Sequence, residues 1–217
     1  MQKFLSDAVE FVPILLQGVW LTIVVTIGSL LLSTVLGLLW ALMRVSGIGI
    51  LSAISASLIN VIRGIPIIVL LFYLYFVMPD FGVALSALQA SILGLGIAYS
   101  AYQSENFRAG IEAIDKGQIE AAQAIGMGWG QTMRRVVLPQ AVRIVLPPYG
   151  NVMIMMLKDS SQASTITVAE LALQGKLIAS STFKNTSVFT LVALMYLTMS
   201  IPLILLVRHF EKRAARK

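Results

Sequence analysis

The chain has 217 residues, 58% of them hydrophobic and 12% charged, with a mean hydropathy of +0.87, a balance that excludes a water-soluble domain. It contains no cysteine and one histidine, His209, which excludes disulfides, thiolate metal sites and a histidine metal cluster. The net charge of +6 gathers in two basic segments that membrane topology and anionic lipid account for, so it carries no nucleic-acid reading.

Crossing a bilayer core of about 30 Å takes roughly 20 apolar residues in helical form, because backbone groups left unbonded in lipid are costly. Phe11 to Met43 has no ionisable residue, with Pro13 suited to a first turn, and predicts span one. The first ten residues lack the basic start and short apolar core of a cleavable signal, so span one is expected to be retained. Val45 to Pro79 carries one charge, Arg63, beside a Gly64-Ile65-Pro66 break, and predicts a kinked span two. Phe81 to Ser104 is uncharged and rich in small residues that let membrane helices pack closely, giving span three. Ile144 to Leu157 is short, covering about 21 Å as a helix. Asn185 to Val207 is the last span, closed by Arg208, His209, Lys212, Arg213, Arg216 and Lys217.

Charge bias decides the short segment. The stretch from Arg108 to Arg143 and the tail after Val207 each hold five Lys or Arg, and both are expected in the cytoplasm. An even number of crossings separates them, so the short segment crosses. The expected fold is all-α and polytopic, with five spans at about 12–43, 51–79, 84–107, 140–158 and 187–207, a single domain, an external N-terminus and a cytoplasmic C-terminus.

The loop over about 112–139 is far longer than a helix connection requires. Asp115 with Gln118 resembles a capping box that starts a helix carrying Ile119 to Ile125, and Gly126 is placed to end it. Gly126, Gly128 and Gly130 break the helix, and Pro139 disfavours helical geometry at Leu138, so two short helices at an angle are expected. In the second, Trp129, Met133 and Val136 or Val137 form an apolar stripe opposite Gln131, Arg134 and Arg135. Either the membrane and the chain's own spans cover that stripe, or a partner protein does.

The pattern EAAQAIG from Glu120 to Gly126, followed by VVLPQA from Val136 to Ala141, resembles the EAA loop of the membrane subunits of bacterial ATP-binding-cassette importers. Val61-Ile62-Arg63-Gly64-Ile65-Pro66, the segment from Ala101 to Ile111, Leu146 to Asn151 and Leu157 to Ser161 are similar to the polar amino acid permeases of the histidine and glutamine type. The likeness covers most of residues 10 to 210. It departs at Ser160, where the family usually has Thr, and at Gly128 or Gly130, where a bulkier residue is ordinary.

The resemblance implies a type I importer permease of MetI-like fold, paired with a second permease chain, identical or related. Its coupling helices would dock on an ATPase through Glu120, Ala121, Ala122, Gly126, Met127, Trp129, Arg134 and Arg135. A periplasmic binding protein would deliver an amino acid or derivative. The chain has no G-x-x-x-x-G-K-[ST] loop, so ATP and magnesium would be bound by the partner ATPase and this subunit is expected to be no enzyme.

A zwitterion crossing a low-dielectric region needs acceptors for its ammonium and donors for its carboxylate. Asp159, followed by Ser160, Ser161 and Gln162, is the best acceptor cluster, and the competing reading leaves Lys158 and Asp159 at the outer interface or paired with each other. Asn151 and Gln103 are weaker candidates for the path and fit helix packing better. Arg63 and Glu105 are expected to form a salt bridge that holds spans two and three. Met153, Met155 and Met156 read as packing. A secondary transporter or channel is the alternative class, opposed by the lack of an internal repeat, and a membrane enzyme ranks last for want of a catalytic cluster.

Overall fold

The computed structural model describes the backbone of residues 2–214 and the side chains of residues 3–212; Arg216, Lys217 and the side chain of Arg213 lie outside them. The described chain is helical throughout. α1 (Gln2–Val45) leads to α2 (Gly49–Gly64), a short α3 (Ile67–Phe72) prolonged by a π turn and a 3-10 turn to Phe81, then α4 (Ala87–Glu112). The hairpin follows, with α5 (Lys116–Ala124) and α6 (Trp129–Thr132). A π turn, Met133–Val137, runs into α7 (Leu138–Asp159), a 3-10 segment follows it, Ser160–Ile166, and α8 (Leu171–Thr182) and α9 (Asn185–Ala214) complete the chain.

α1 is the backbone of the assembly, and three apolar cores stack along it. The first joins Phe11 and Leu15 to α8 and α9 through Leu171, Ile178, Val188 and Leu191. The central one gathers Val25 with Leu71, Leu95, Tyr99, Val152, Met156 and Ile166. At the far end Leu42 and Val45 flank Ile111, Ile114, Val137 and Ala141, where the hairpin is rooted. The largest interface is α1 on α4, and it closes because its contact residues are small. A Cβ at Gly37 would stand 2.7 Å from the Cβ of Gln103, and one at Gly28 would stand 3.0 Å from the Cδ1 of Ile92; against α8, one at Gly18 would stand 2.8 Å from the Cα of Leu171. In lipid, where burial offers little driving force between helices, such close approach and buried serines such as Ser29, whose Oγ donates to the Ile92 carbonyl at 3.3 Å, supply the attraction.

Several expectations are corrected here. α1 begins well before Pro13, which therefore sits inside the helix rather than in its first turn. The break expected at Gly64-Ile65-Pro66 is present and is sharper than a kink: Gly49–Gly64 and Ile67–Phe81 meet at 96°. Pro66 lacks an N–H and pushes Ile65 into extended geometry, so the helix ends and restarts in a new direction. Pro139 does not end the hairpin's second helix. The wider π turn gives Leu138 a carbonyl partner at Met133, so Pro139 lies near the start of α7, where its missing N–H costs little. The helix is thus continuous from Trp129 to Asp159, with Pro147 and Pro148 midway. The segment between α7 and α9, which the sequence reading gave no helix, folds as 3-10 turns and α8 and packs into the core.

Among the described residues two helices, Lys3–Val45 and Asn185–Lys212, are long and apolar enough to cross a membrane, and the bent pair makes three if it is one span. α4, with Gln89, Gln103 and its serines, glycines and tyrosines, and α7, with Arg143, Pro147, Pro148 and Asn151, are too polar to reach that mark.

Candidate functional site

The hairpin between α4 and α7 is built by local chemistry. Asp115 caps α5, its Oδ1 accepting from the Gly117 N–H at 2.7 Å. Gln118 does not complete the expected capping box; its Oε1 accepts from Gln140 Nε2 at 2.5 Å and so ties α5 to the start of α7. Gly126 ends α5 with φ +80, in the left-handed region that costs a residue with a side chain, and its N–H returns to the Gln123 carbonyl at 2.9 Å. Gly128 then opens α6, its carbonyl accepting from the Thr132 N–H at 3.0 Å.

The apolar stripe divides. Met133 and Val137 turn inward and root the hairpin against Ile111 and Ile114, so the chain itself covers half of it. Trp129 is left 62% exposed and Ile125, which the sequence reading did not single out for docking, 78% exposed. Glu120, Ala121, Gly126, Arg134 and Arg135 are exposed beside them, and Met127 is half-buried. Ala122 is buried, so it packs the hairpin and offers nothing to a partner. The result is a braced elbow with a bare apolar tip and charge on its flanks.

The second locus lies where α7 ends against α4. The Tyr99 hydroxyl, on a ring buried in the central core, donates to Asp159 Oδ2 at 2.6 Å. Lys158 is exposed and makes no ion pair with Asp159, while Asp159 is half-buried and faces α4. Ser161 and Gln162 are half-buried beside it. Ser160 is buried and donates to the Leu157 carbonyl at 2.7 Å, so its hydroxyl is spent on the backbone. Asn151 is exposed on the outer side of α7. Gln103 is buried against Gly37, accepts from Asn106 at 3.3 Å and leaves its Nε2 without a partner. Of the three methionines only Met156 is core; Met155 is 47% exposed.

The expected Arg63 and Glu105 bridge does not form. Glu105 is taken by Arg108, at 2.7 Å on its own helix, and by Arg44 of α1 at 3.6 Å, because α1 and not α2 lies along that face of α4. Arg63, left free of it, stands over the Tyr102 ring at 5.3 Å.

A residue that sequence reasoning missed is Glu170. Its side chain is fully buried, accepts from the Ala172 and Leu173 N–H groups at 2.9 Å each and from the Tyr196 hydroxyl at 2.8 Å, and meets Thr22 at 3.5 Å. It joins α1, α8 and α9 at one carboxylate. The available signal was its place just before the apolar run Leu171 to Leu173, as a helix cap; glutamate is not among the residues usually found there.

A bundle of long apolar helices around buried polar groups, with a braced extramembrane elbow, defines an integral membrane protein of the polytopic helical class. The chain belongs to the family of binding-protein-dependent transport system inner membrane components, whose pattern it matches over residues 33–216. It is 39% identical to the probable amino-acid ABC transporter permease protein YckA of Bacillus subtilis (strain 168) over 189 residues, 87% of this chain and 84% of that one. Identity to the probable glutamine ABC transporter permease protein GlnM of the same organism is 37% over 198 residues, 91% and 92% of the two chains. A solved amino acid ABC transporter, crystallised with histidines, superposes with a TM-score of 0.88 at 37% identity, covering 97% of this chain and 98% of that one. The chain is accordingly a permease subunit of an ABC importer and an inner-membrane component, and the secondary-transporter and membrane-enzyme alternatives fall away.

Proposed function

We propose that this permease moves a polar amino acid or a derivative of one inward, that a periplasmic binding protein delivers it, and that a separate ATPase subunit, holding ATP and magnesium, drives the cycle through the elbow. The observation that carries the coupling role is the bare tip: Ile125 and Trp129 stay exposed on a hairpin otherwise braced by Met133, Val137 and the Gln118 to Gln140 bond. Exposed aromatic and aliphatic groups ringed by charge are what a partner groove buries. Glu120, Ala121, Gly126, Arg134 and Arg135 complete the docking face, and Met127 lies at its edge.

In this reading the chain crosses five times, with its N-terminus outside and the basic tail in the cytoplasm, α4 and α7 serving as spans three and four. A second permease chain, a copy or a relative, shields the polar faces of the bundle. Asp159, oriented by the Tyr99 hydroxyl, meets the ammonium of the solute, with Ser161 and Gln162 beside it.

The test is to isolate the tagged chain from its native membrane, identify what accompanies it by mass spectrometry, and reconstitute the complex for uptake. Stoichiometric recovery of an ATPase subunit that is lost with Trp129→Asp or Glu120→Lys, while the chain stays in the membrane at normal yield, is the expected result. Undiminished recovery in both variants would move docking away from the elbow. Asp159→Asn is expected to slow ATP-driven uptake of amino acids; unchanged kinetics across a panel of them would remove Asp159 from the path.

A further inference from the structure

Arg63 is a charged side chain that neither the proposed coupling nor the ion pairs of the described residues absorb, and it differs from the other unpaired charges in standing against an aromatic ring. It is exposed, one residue before the end of α2, where the bent pair turns by 96°. Its guanidinium lies 5.3 Å from the centre of the Tyr102 ring, within the range of a cation held by an aromatic face. Tyr102 is 42% exposed, so the ring carries Arg63 on one side and remains open on another.

The neighbours form a sequence. The Tyr102 ring stands 5.9 Å from that of Tyr99, and the Tyr99 hydroxyl donates to Asp159 at 2.6 Å. A cation and an anion thus stand at the two ends of one aromatic pair on successive turns of α4, with Arg63 on the side toward the hairpin. Tyr102 is about 15 Å along the helix axis from Glu112, where α4 ends, so in the proposed topology Arg63, in the last turn of α2, lies beside the body of span three. A guanidinium without a carboxylate at such depth is costly against hydrocarbon and is tolerated facing a water-filled cavity. An arginine in water with no protein anion is ready for a carboxylate from elsewhere, which its fork of donors matches in two bonds at once.

We propose that Arg63 is a second station on the solute path. It takes the carboxylate of the amino acid one turn of α4 beyond Asp159, with Tyr102 as the platform that holds the guanidinium in the open. The ammonium and carboxylate of an amino acid share one carbon, whereas two rings separate Arg63 from Asp159, so the two residues act on the solute in succession. The break at Gly64-Ile65-Pro66 leaves Arg63 in the last turn of α2, where the chain turns away by 96°. This rests on the reading that the subunit moves an amino acid.

The experiment uses the complete transporter, reconstituted in vesicles with its ATPase and binding protein. Uptake of radiolabelled L-glutamine, L-arginine and L-glutamate is measured beside binding-protein-stimulated ATP hydrolysis. Arg63→Gln is expected to lower the maximal uptake of every transported amino acid by about tenfold, the worth of one charge-assisted hydrogen bond, while stimulated hydrolysis persists. Arg63→Lys, which keeps the charge, should recover most of the loss, and Tyr102→Leu should fall between. Uptake by Arg63→Gln at the unaltered rate overturns the proposal. So does equal loss of uptake and hydrolysis in both Arg63→Gln and Arg63→Lys, the mark of a packing or subunit-pairing role. If the unaltered transporter takes up none of the three, the amino acid reading itself fails and the station with it, a result distinct from any confined to the variants.

Discussion

Replacing Glu170 by alanine should be among the most damaging single changes in the chain, although the residue has no part in the proposed docking face or solute path. The carboxylate caps α8 through the Ala172 and Leu173 N–H groups, and losing such a cap costs about 1 kcal/mol. It also receives the Tyr196 hydroxyl at 2.8 Å; without it, that hydroxyl is stranded at about 1–3 kcal/mol. Thr22 keeps its bonds to the Gly18 carbonyl and the Leu171 N–H, so it adds little. The sum is roughly 2–4 kcal/mol. Thermal unfolding of the detergent-purified complex, followed by tryptophan fluorescence, reports it. Glu170→Gln, which retains one cap acceptor and offers the tyrosine an N–H, should lose only about 1 kcal/mol. The sharper arm is the double variant. If stranding is the larger cost, adding Tyr196→Phe to Glu170→Ala recovers stability, because an absent hydroxyl needs no partner. A double variant no more stable than Glu170→Ala would refute that reasoning, and a Glu170→Ala protein melting with the unaltered one would refute the whole.

Gly37→Leu should overpack the contact between α1 and α4 by about 1–3 kcal/mol and reduce the yield of folded protein, whereas Gly130→Ala, where a Cβ meets open space, should leave the yield unchanged; equal yields of the two would count against close packing as the source of stability. Gly126→Ala must hold a side chain at φ +80, at about 1–2 kcal/mol, and is expected to increase protease cleavage within residues 123–130 without altering the rest of the digest. Beyond the last turn of α8, Lys184 bonds Asp7 Oδ1 at 2.7 Å and reaches Glu10 at 3.6 Å, clasping the start of α1. The Asp7 bond chiefly raises the ammonium above its usual range, so the clasp is fully present below about pH 10 and is lost as the pH rises through the raised value. The melting gap between the unaltered protein and Lys184→Met should therefore be constant from about pH 7 to 9 and close at higher pH; a gap that opens with alkali would reverse the assignment.

The parts of this structure that could be read from the residues are those set by local rules. The long apolar runs gave α1 and α9, Asp115 and Gly126 bounded α5, and the tight pattern from Glu120 to Ala141 pointed to the permeases. What could not be read depends on which helix lies beside which. Arg63 was matched to Glu105 because both flank expected spans, but the partner of Glu105 is chosen by α1, which brings Arg44 to it. Pro139 was read by its usual effect on the preceding residue, and a π turn, invisible in composition, absorbed it. Glu170 lay in a stretch that looked like a mere connection, since its worth comes from Thr22 and Tyr196, far away in sequence. At the hairpin, periodicity found the stripe but could not say that Met133 and Val137 would be covered and Trp129 left bare.

The continuous helix from Trp129 to Asp159 has a mechanical consequence. At 1.5 Å per residue it is a strut of roughly 45 Å with the elbow at one end and the Asp159 carboxylate at the other. Prolines 147 and 148 remove two rungs of its hydrogen-bond ladder near the middle, and just beyond them Gly150 lets Val207 of α9 press against the backbone. The strut is therefore held by α9 above its weak point and by α4 below it, where Val137 and Ala141 pack on Ile111 and Ile114. Between the two grips the missing rungs leave a single joint, so relative motion of the two ends is expected as a bend at the prolines rather than along the whole length.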